Sequence, residues 1–149
     1  MRLYKSIVVF LLLFITISLQ AQCFSFARSA CKSSLGDFVH DGNYNATMLQ
    51  EGEKAELYKT FFEGQKYRLA ICKIKDLPPI HFKITDQNGR VFYDNKDHDF
   101  ALTWDFQVES TQMLIVEMKV LEQGGPDDDL ISGCVAVLFG LDTGKKKKK

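Results

Sequence analysis

The residues best suited by type to chemistry lie in "DNKDHD", where Asp94, Asp97, His98 and Asp99 crowd together, with Asp86 just upstream across "QNGR". Calcium takes six to eight oxygens, usually from alternate positions of a sharply bent loop. Asp86, Asp94, Asp97 and Asp99 are therefore the candidate calcium ligands, and calcium is the one cofactor the sequence suggests. Lys96 intrudes among them, and no glycine supplies the bend. The competing expectation is a charged turn that breaks strand pairing and stays soluble. "DGNYN", Asp41 to Asn45, has the alternating oxygen donors of an EF-hand start. It then carries Ala46 where the glycine belongs and Gly52 where the bidentate glutamate belongs, so it reads as a loop. The third acidic run, Asp127 to Asp129, also reads as a solvated loop.

Other reactive groups are dispersed. His40, His81 and His98 have no spacing that suggests zinc. No Gly-x-Ser-x-Gly nucleophile motif occurs. Asp105 and Glu109 could be drawn as a glycosidase pair, yet they sit as ordinary outward strand residues. No enzyme is expected.

The four cysteines, Cys23, Cys31, Cys72 and Cys134, carry the best-supported chemistry. Cys72 shares a strand parity with Ala70, and Cys134 with Ala136, so a Cys72–Cys134 bridge is favoured and leaves Cys23 with Cys31. Closing so long a loop stabilises by roughly 4 kcal/mol in the entropic account. Four cysteines permit three pairings, so the preference is not a deduction.

Exported chains pair their cysteines, and the N-terminus reads as an export signal. "MRLYK" supplies charge, "SIVVFLLLFITISL" an apolar run and "QAQ" its end. The run is shorter than the ~20 residues that span a bilayer, so no membrane span is expected after cleavage. A cut after Ala21 keeps four cysteines and a cut after Ala27 keeps three; the even set favours Ala21. "QAQ" is a poor match to a lipidation signal at Cys23. The 149 residues balance formally in charge only because the lysines of 145–149 offset an acidic body. No basic stripe marks the folded part, which excludes nucleic acid as partner.

These residues must be positioned by strands. Short alternating runs recur between turn residues: "NATMLQ", "KAELYKTFF", "KYRLAICK", "IHFKITD", "VFY", "ALTWDFQVES", "TQMLIVEMKVLEQ" and "SGCVAVLFG". "QNGR" is a hairpin turn. "ALTWDFQVES" puts Leu102, Trp104, Phe106 and Val108 on one face and Thr103, Asp105, Gln107 and Glu109 on the other. Phe61, Tyr67 and Trp104 fall inward; Tyr58, Phe62 and Phe92 take the opposite parity and form the candidate binding face. "NAT", Asn45 to Thr47, is a glycosylation sequon. One sheet of this size would leave its apolar side wet, so the expected fold is all-β: a two-sheet antiparallel β-sandwich of jelly-roll type with about eight strands. A closed barrel is the alternative. The expected organisation is a signal peptide over 1–21, an N-terminal segment over 22–43 with a short helix ended by Gly36, the sandwich over 44–140, and a disordered lysine-rich tail over 141–149.

"EGQKYRLAI" and "FKITDQNGRVFYDN" resemble the bacterial pre-peptidase C-terminal domain and related secreted sandwich modules, through "GQ-x-Y-x-L" opening a strand and "D-x-NG-x-V" at the next hairpin. The chain departs from that pattern at "STQMLIV", where such domains have Gly-x-Tyr, and no protease domain precedes it. The resemblance implies a sandwich with a non-catalytic accessory role and assigns no site residues. The expected function is an exported binding or accessory module of the cell envelope, secreted or periplasmic, with a glycan or protein ligand. The alternatives are a structural envelope component that self-associates and a calcium-stabilised adhesion module.

Overall fold

The computed structural model describes residues 18–123 and 130–144. Most of the expected signal peptide, the acidic run 127–129 and the terminal lysines lie outside the described residues. Among those described, no helix is long and apolar enough to cross a membrane.

Among the described residues, nine strands follow a short helical segment: β1 (Val39–His40), β2 (Asn45–Gln50), β3 (Lys54–Phe61), β4 (Lys66–Lys73), β5 (Ile80–Asp86), β6 (Val91–Asp94), β7 (Thr103–Gln107), β8 (Gln112–Val120) and β9 (Ser132–Leu141). One antiparallel sheet runs β2-β9-β4-β7, with β1 also on β9; the other runs β3-β8-β5-β6. From β2 to β9 this is the strand order of a jelly roll. The expected sandwich is thus the observed one, extended by the two-residue β1. Period-two burial drives it. On β8, Leu114, Val116, Met118 and Val120 point inward while their neighbours are half-buried. They meet Phe61, Phe82 and Phe139 in one core. Each such ring, fully buried, contributes about 1.5–3 kcal/mol.

β9 does not alternate: Gly133 through Gly140 are all buried. Its sheet is covered on both faces, which continuous apolar strands require. The second cover is the N-terminal segment: α1 (Ser18–Phe26), a π-helical turn (Ala27–Cys31) and a 3₁₀ turn (Lys32–Leu35). Ala27, Cys31 and Leu35 recur every fourth residue and pack on Ala70, Ala136 and Leu138. Small side chains on β4 and β9 let the segment lie close. Gly140 is required for the same reason, because a Cβ there would stand 2.6 Å from Phe38 Cβ. The segment ends at Gly36, whose φ of 57° suits glycine.

The disulfide joins Cys23 to Cys134, with Cα atoms 5.1 Å apart, and Cys31 and Cys72 are free thiols. This corrects both expected pairings, Cys72–Cys134 and Cys23–Cys31. β4 and β9 are neighbours, and the two cysteines share a face, but Cys72 stands opposite Ala136. Cys134 is a diagonal neighbour, roughly 7–8 Å away, beyond the ~4.4–6.8 Å that a disulfide usually spans. Cys23 and Cys31 are eight positions apart on one helical segment, about 12 Å along its axis. Because Cys23 is bonded to β9, a chain cut after Ala27 would lose this staple.

Candidate functional site

The acidic stretch is a crossing between sheets. It carries the chain from β6, the edge of one sheet, to β7, the edge of the other. Asp94 opens a 3₁₀ turn (Asn95–His98), its carboxylate accepting from the Lys96 N–H at 3.0 Å. Asn95 is fully buried: its Oδ1 accepts from Phe82 N–H at 2.9 Å, and its Nδ2 donates to the carbonyls of Ile80 at 2.9 Å and Ala101 at 3.3 Å. These bonds tie the crossing to β5. Asp99 and Phe100 close the turn at φ 51° and 54°, a left-handed conformation unusual for a bulky residue such as Phe100.

The four candidate calcium ligands are not gathered. Asp86 holds its own hairpin turn, accepting from the Asn88 and Arg90 N–H groups at 2.8 and 2.9 Å. Asp94 pairs with His81 Nε2 at 2.7 Å. Burial pulls the Asp94 carboxyl upward, but the Lys96 N–H, the His81 ring and the charges of His81 and Lys83 outweigh it and hold it below its ordinary value. Asp97 and Asp99 are exposed. Among the described residues, no three His, Cys, Asp or Glu side chains form a group that could hold a metal ion. Asp105 is likewise committed: Arg68 grips it with Nε and Nη2, each at 2.6 Å.

What the crossing does position is a column of aromatic rings between the edges of β6 and β7. His98 stacks on Tyr93 at 4.8 Å, Tyr93 on Trp104 at 4.8 Å, Trp104 on Phe106 at 4.1 Å and Phe106 on Tyr67 at 5.6 Å. Two adjoining depressions lie along this column and share Phe92 and Trp104. One, of about 380 Å³, is bordered by Arg90, Glu109 and Gln112; the other, of about 600 Å³, by Arg68, His98 and Thr103. Arg90 lies over the Phe92 ring at 5.1 Å.

Both borders of the groove are free strand edges. Among the described residues β7 pairs with β4 alone and β6 with β5 alone. In an antiparallel ladder, residues turn both backbone groups alternately toward and away from the neighbour. Ile71 N–H donates to Leu102 O, so Leu102, Trp104 and Phe106 face β4. Thr103, Asp105 and Gln107 therefore turn their N–H and C=O groups outward.

The expected binding face of Tyr58, Phe62 and Phe92 is not one surface. Tyr58 is on β3, Phe62 follows it, and Phe92 is on β6, the opposite edge of the same sheet. Three strand spacings, about 14 Å, separate those edges. Tyr58 and Phe62 are 54% and 56% exposed, while Phe92 is half-buried against the core. Tyr58 instead shares an outward cross-strand row with Ile115, Thr85 and Val91.

The other open side of the sandwich is closed. Lys59, on edge strand β3, has inward parity; its Nζ lies 2.7 Å from Asp41 Oδ2 on the β1–β2 loop and 4.9 Å from the Phe139 ring centre. An inward lysine is a known device for blunting a strand edge. Neither this clamp nor Asn95 is marked in the sequence by motif or spacing; both depend on which strands become edges.

No protein-family model matches the chain, and no curated protein does. Among solved structures, the crystal structure of Aeromonas hydrophila PliG, a periplasmic lysozyme inhibitor of g-type lysozyme, is similar at 7% identity and a TM-score of 0.49. The match covers 66% of this chain and 84% of that chain. A likeness of this size carries no information on what this chain binds.

Proposed function

We propose that the chain is an exported, non-catalytic binding module of the cell envelope whose ligand is a protein, held as an extended segment along the free edge of β7. The observation that carries this reading is the outward row of backbone donors and acceptors at Thr103, Asp105 and Gln107, beside a groove that joins the Phe92 and Trp104 rings with charged and polar side chains. Strand addition uses these two features: backbone hydrogen bonds for affinity and neighbouring pockets for side-chain choice. The asymmetry of the sandwich supports it, since the opposite opening is clamped by Lys59 and Asp41. A glycan is disfavoured at this place. Sugars stack on free ring faces, and Trp104 and Tyr93 each already stack against two neighbouring rings. The Cys23–Cys134 disulfide fits an oxidising compartment. The accessory role implied by the resemblance to pre-peptidase C-terminal domains fits the same reading.

The test is selection from a displayed library of random twelve-residue peptides, followed by Thr103→Pro. That N–H faces away from β4, so proline leaves the ladder intact. Selected peptides bind the wild type and bind Thr103→Pro at least about tenfold more weakly, the loss of roughly one hydrogen bond to the edge. Peptides that bind both proteins equally would contradict the reading, as would a glycan array hit with no peptide selected. The outward row Tyr58–Ile115–Thr85–Val91, exposed at Tyr58 and Val91, favours a second reading, self-association through the outer face of the four-stranded sheet. Concentration-dependent dimers in sedimentation that are abolished by Val91→Asp would support it.

A further inference from the structure

With Cys23 and Cys134 joined, the two remaining cysteines meet at one small core cluster. Cys31 ends the π-helical turn and is fully buried against β4 and β9. Cys72, on β4, packs against the same cluster and remains partly accessible. Ser34 Oγ lies 3.6 Å from Cys72 Sγ, and each of the two thiols shifts the acidity of the other. Two thiols held together beside an existing disulfide are a site for oxidation rather than a pair of inert core groups. We propose that Cys31 and Cys72 form a second disulfide in the exported protein, completing the pairing 23–134 and 31–72 and fixing the N-terminal layer to both central strands of its sheet.

The two sulfurs have different roles in the reaction. Cys31 hydrogen-bonds to Cys72, which brings the Cys72 thiol down to about 7 against the cost of its burial, with help from Ser34. The same contact, then burial and the Cys72 charge, push Cys31 far up. The oxidant is a small-molecule or protein disulfide such as oxidised glutathione. The Cys72 thiolate attacks one oxidant sulfur, forming a mixed disulfide and releasing one oxidant thiolate, which takes up a proton. Cys31 then loses its proton and attacks the Cys72 sulfur, and the second oxidant thiol leaves. Two protein thiols and one oxidant disulfide become one protein disulfide and two oxidant thiols, two electrons passing to the oxidant.

The experiment equilibrates the full protein with oxidised and reduced glutathione, denatures it in guanidinium with N-ethylmaleimide and no reductant, and reads adducts by intact mass. Proteolysis without reduction then maps the linked peptides. The expected result is no adduct, with Cys31 linked to Cys72 and Cys23 to Cys134. Two adducts located on Cys31 and Cys72 would overturn the proposal, as would a Cys72–Cys134 peptide. In Cys31→Ser, Cys72 carries a maleimide or an unresolved glutathione adduct, told apart by mass; a Cys72 linked to Cys23 or Cys134 in that variant would also count against it. If Cys31→Ser does not fold, the wild-type map decides alone.

Discussion

At the scale of single residues, Asn95 holds the site together more than any of the acids around it. It is the one buried polar residue among those described, and its amide ties three backbone groups across the sheet crossing. Asn95→Ala strands the Phe82 N–H and the Ile80 carbonyl without partners, so stability should fall by about 2–4 kcal/mol in urea unfolding. A loss below about 0.5 kcal/mol would remove Asn95 as the anchor. Asp94 makes a pH-dependent contribution. Its folded carboxyl lies below the ordinary 3.8, so its stabilisation is complete above the unfolded value and is lost as pH falls through the folded one. The melting-temperature gap between wild type and Asp94→Asn should therefore close as pH falls below about 5. A gap that widens on acidification would reverse the sign. Sequence reasoning singled out this stretch but for its carboxylates. An asparagine among aspartates looks like one more turn former, and only the crossing between sheets shows that its side chain points inward.

The strands are where the sequence was most legible. Alternation in "ALTWDFQVES" and "TQMLIVEMKV" set the inward faces that the structure shows. "SGCVAVLFG" lacks alternation because the helical segment covers its second face, a partner that lies more than a hundred residues away in the chain. Cysteine pairing was illegible for a related reason. Parity placed Cys72 and Cys134 on one face, but register, which parity does not contain, offset them by two residues. The β3 edge illustrates what register does for function. Lys59 keeps that edge closed through Asp41. Lys59→Ala takes the lysine from a largely buried carboxylate, leaving it the Asn43 N–H at 2.9 Å and the His40 ring at 3.8 Å, and should cost about 1–3 kcal/mol. Lys59→Leu restores packing in part but removes the inward charge, so it should shift sedimentation toward dimers and larger species. A monomeric Lys59→Leu protein at high concentration would show that the lysine does not guard the edge.

For the whole molecule, the two ends of the jelly roll's sheets differ. One opening is bridged by an ion pair and flanked by a stapled helical layer; the other is bordered by two free edges over stacked rings. Which strands would lie at the edges could not be read from periodicity, so the groove was invisible in the sequence even though Trp104, Phe106 and His98 were each noticed. The proposed strand addition predicts a specific backbone signature, and residue-resolved amide hydrogen exchange by NMR reads it directly. In the free protein the amides of Thr103, Asp105 and Gln107 should exchange fast while those of Trp104 and Phe106 are protected. With a library-selected peptide bound, the three fast amides should slow by at least about tenfold. Unchanged exchange at those three, with new protection instead around Tyr58 and Val91, would contradict the account.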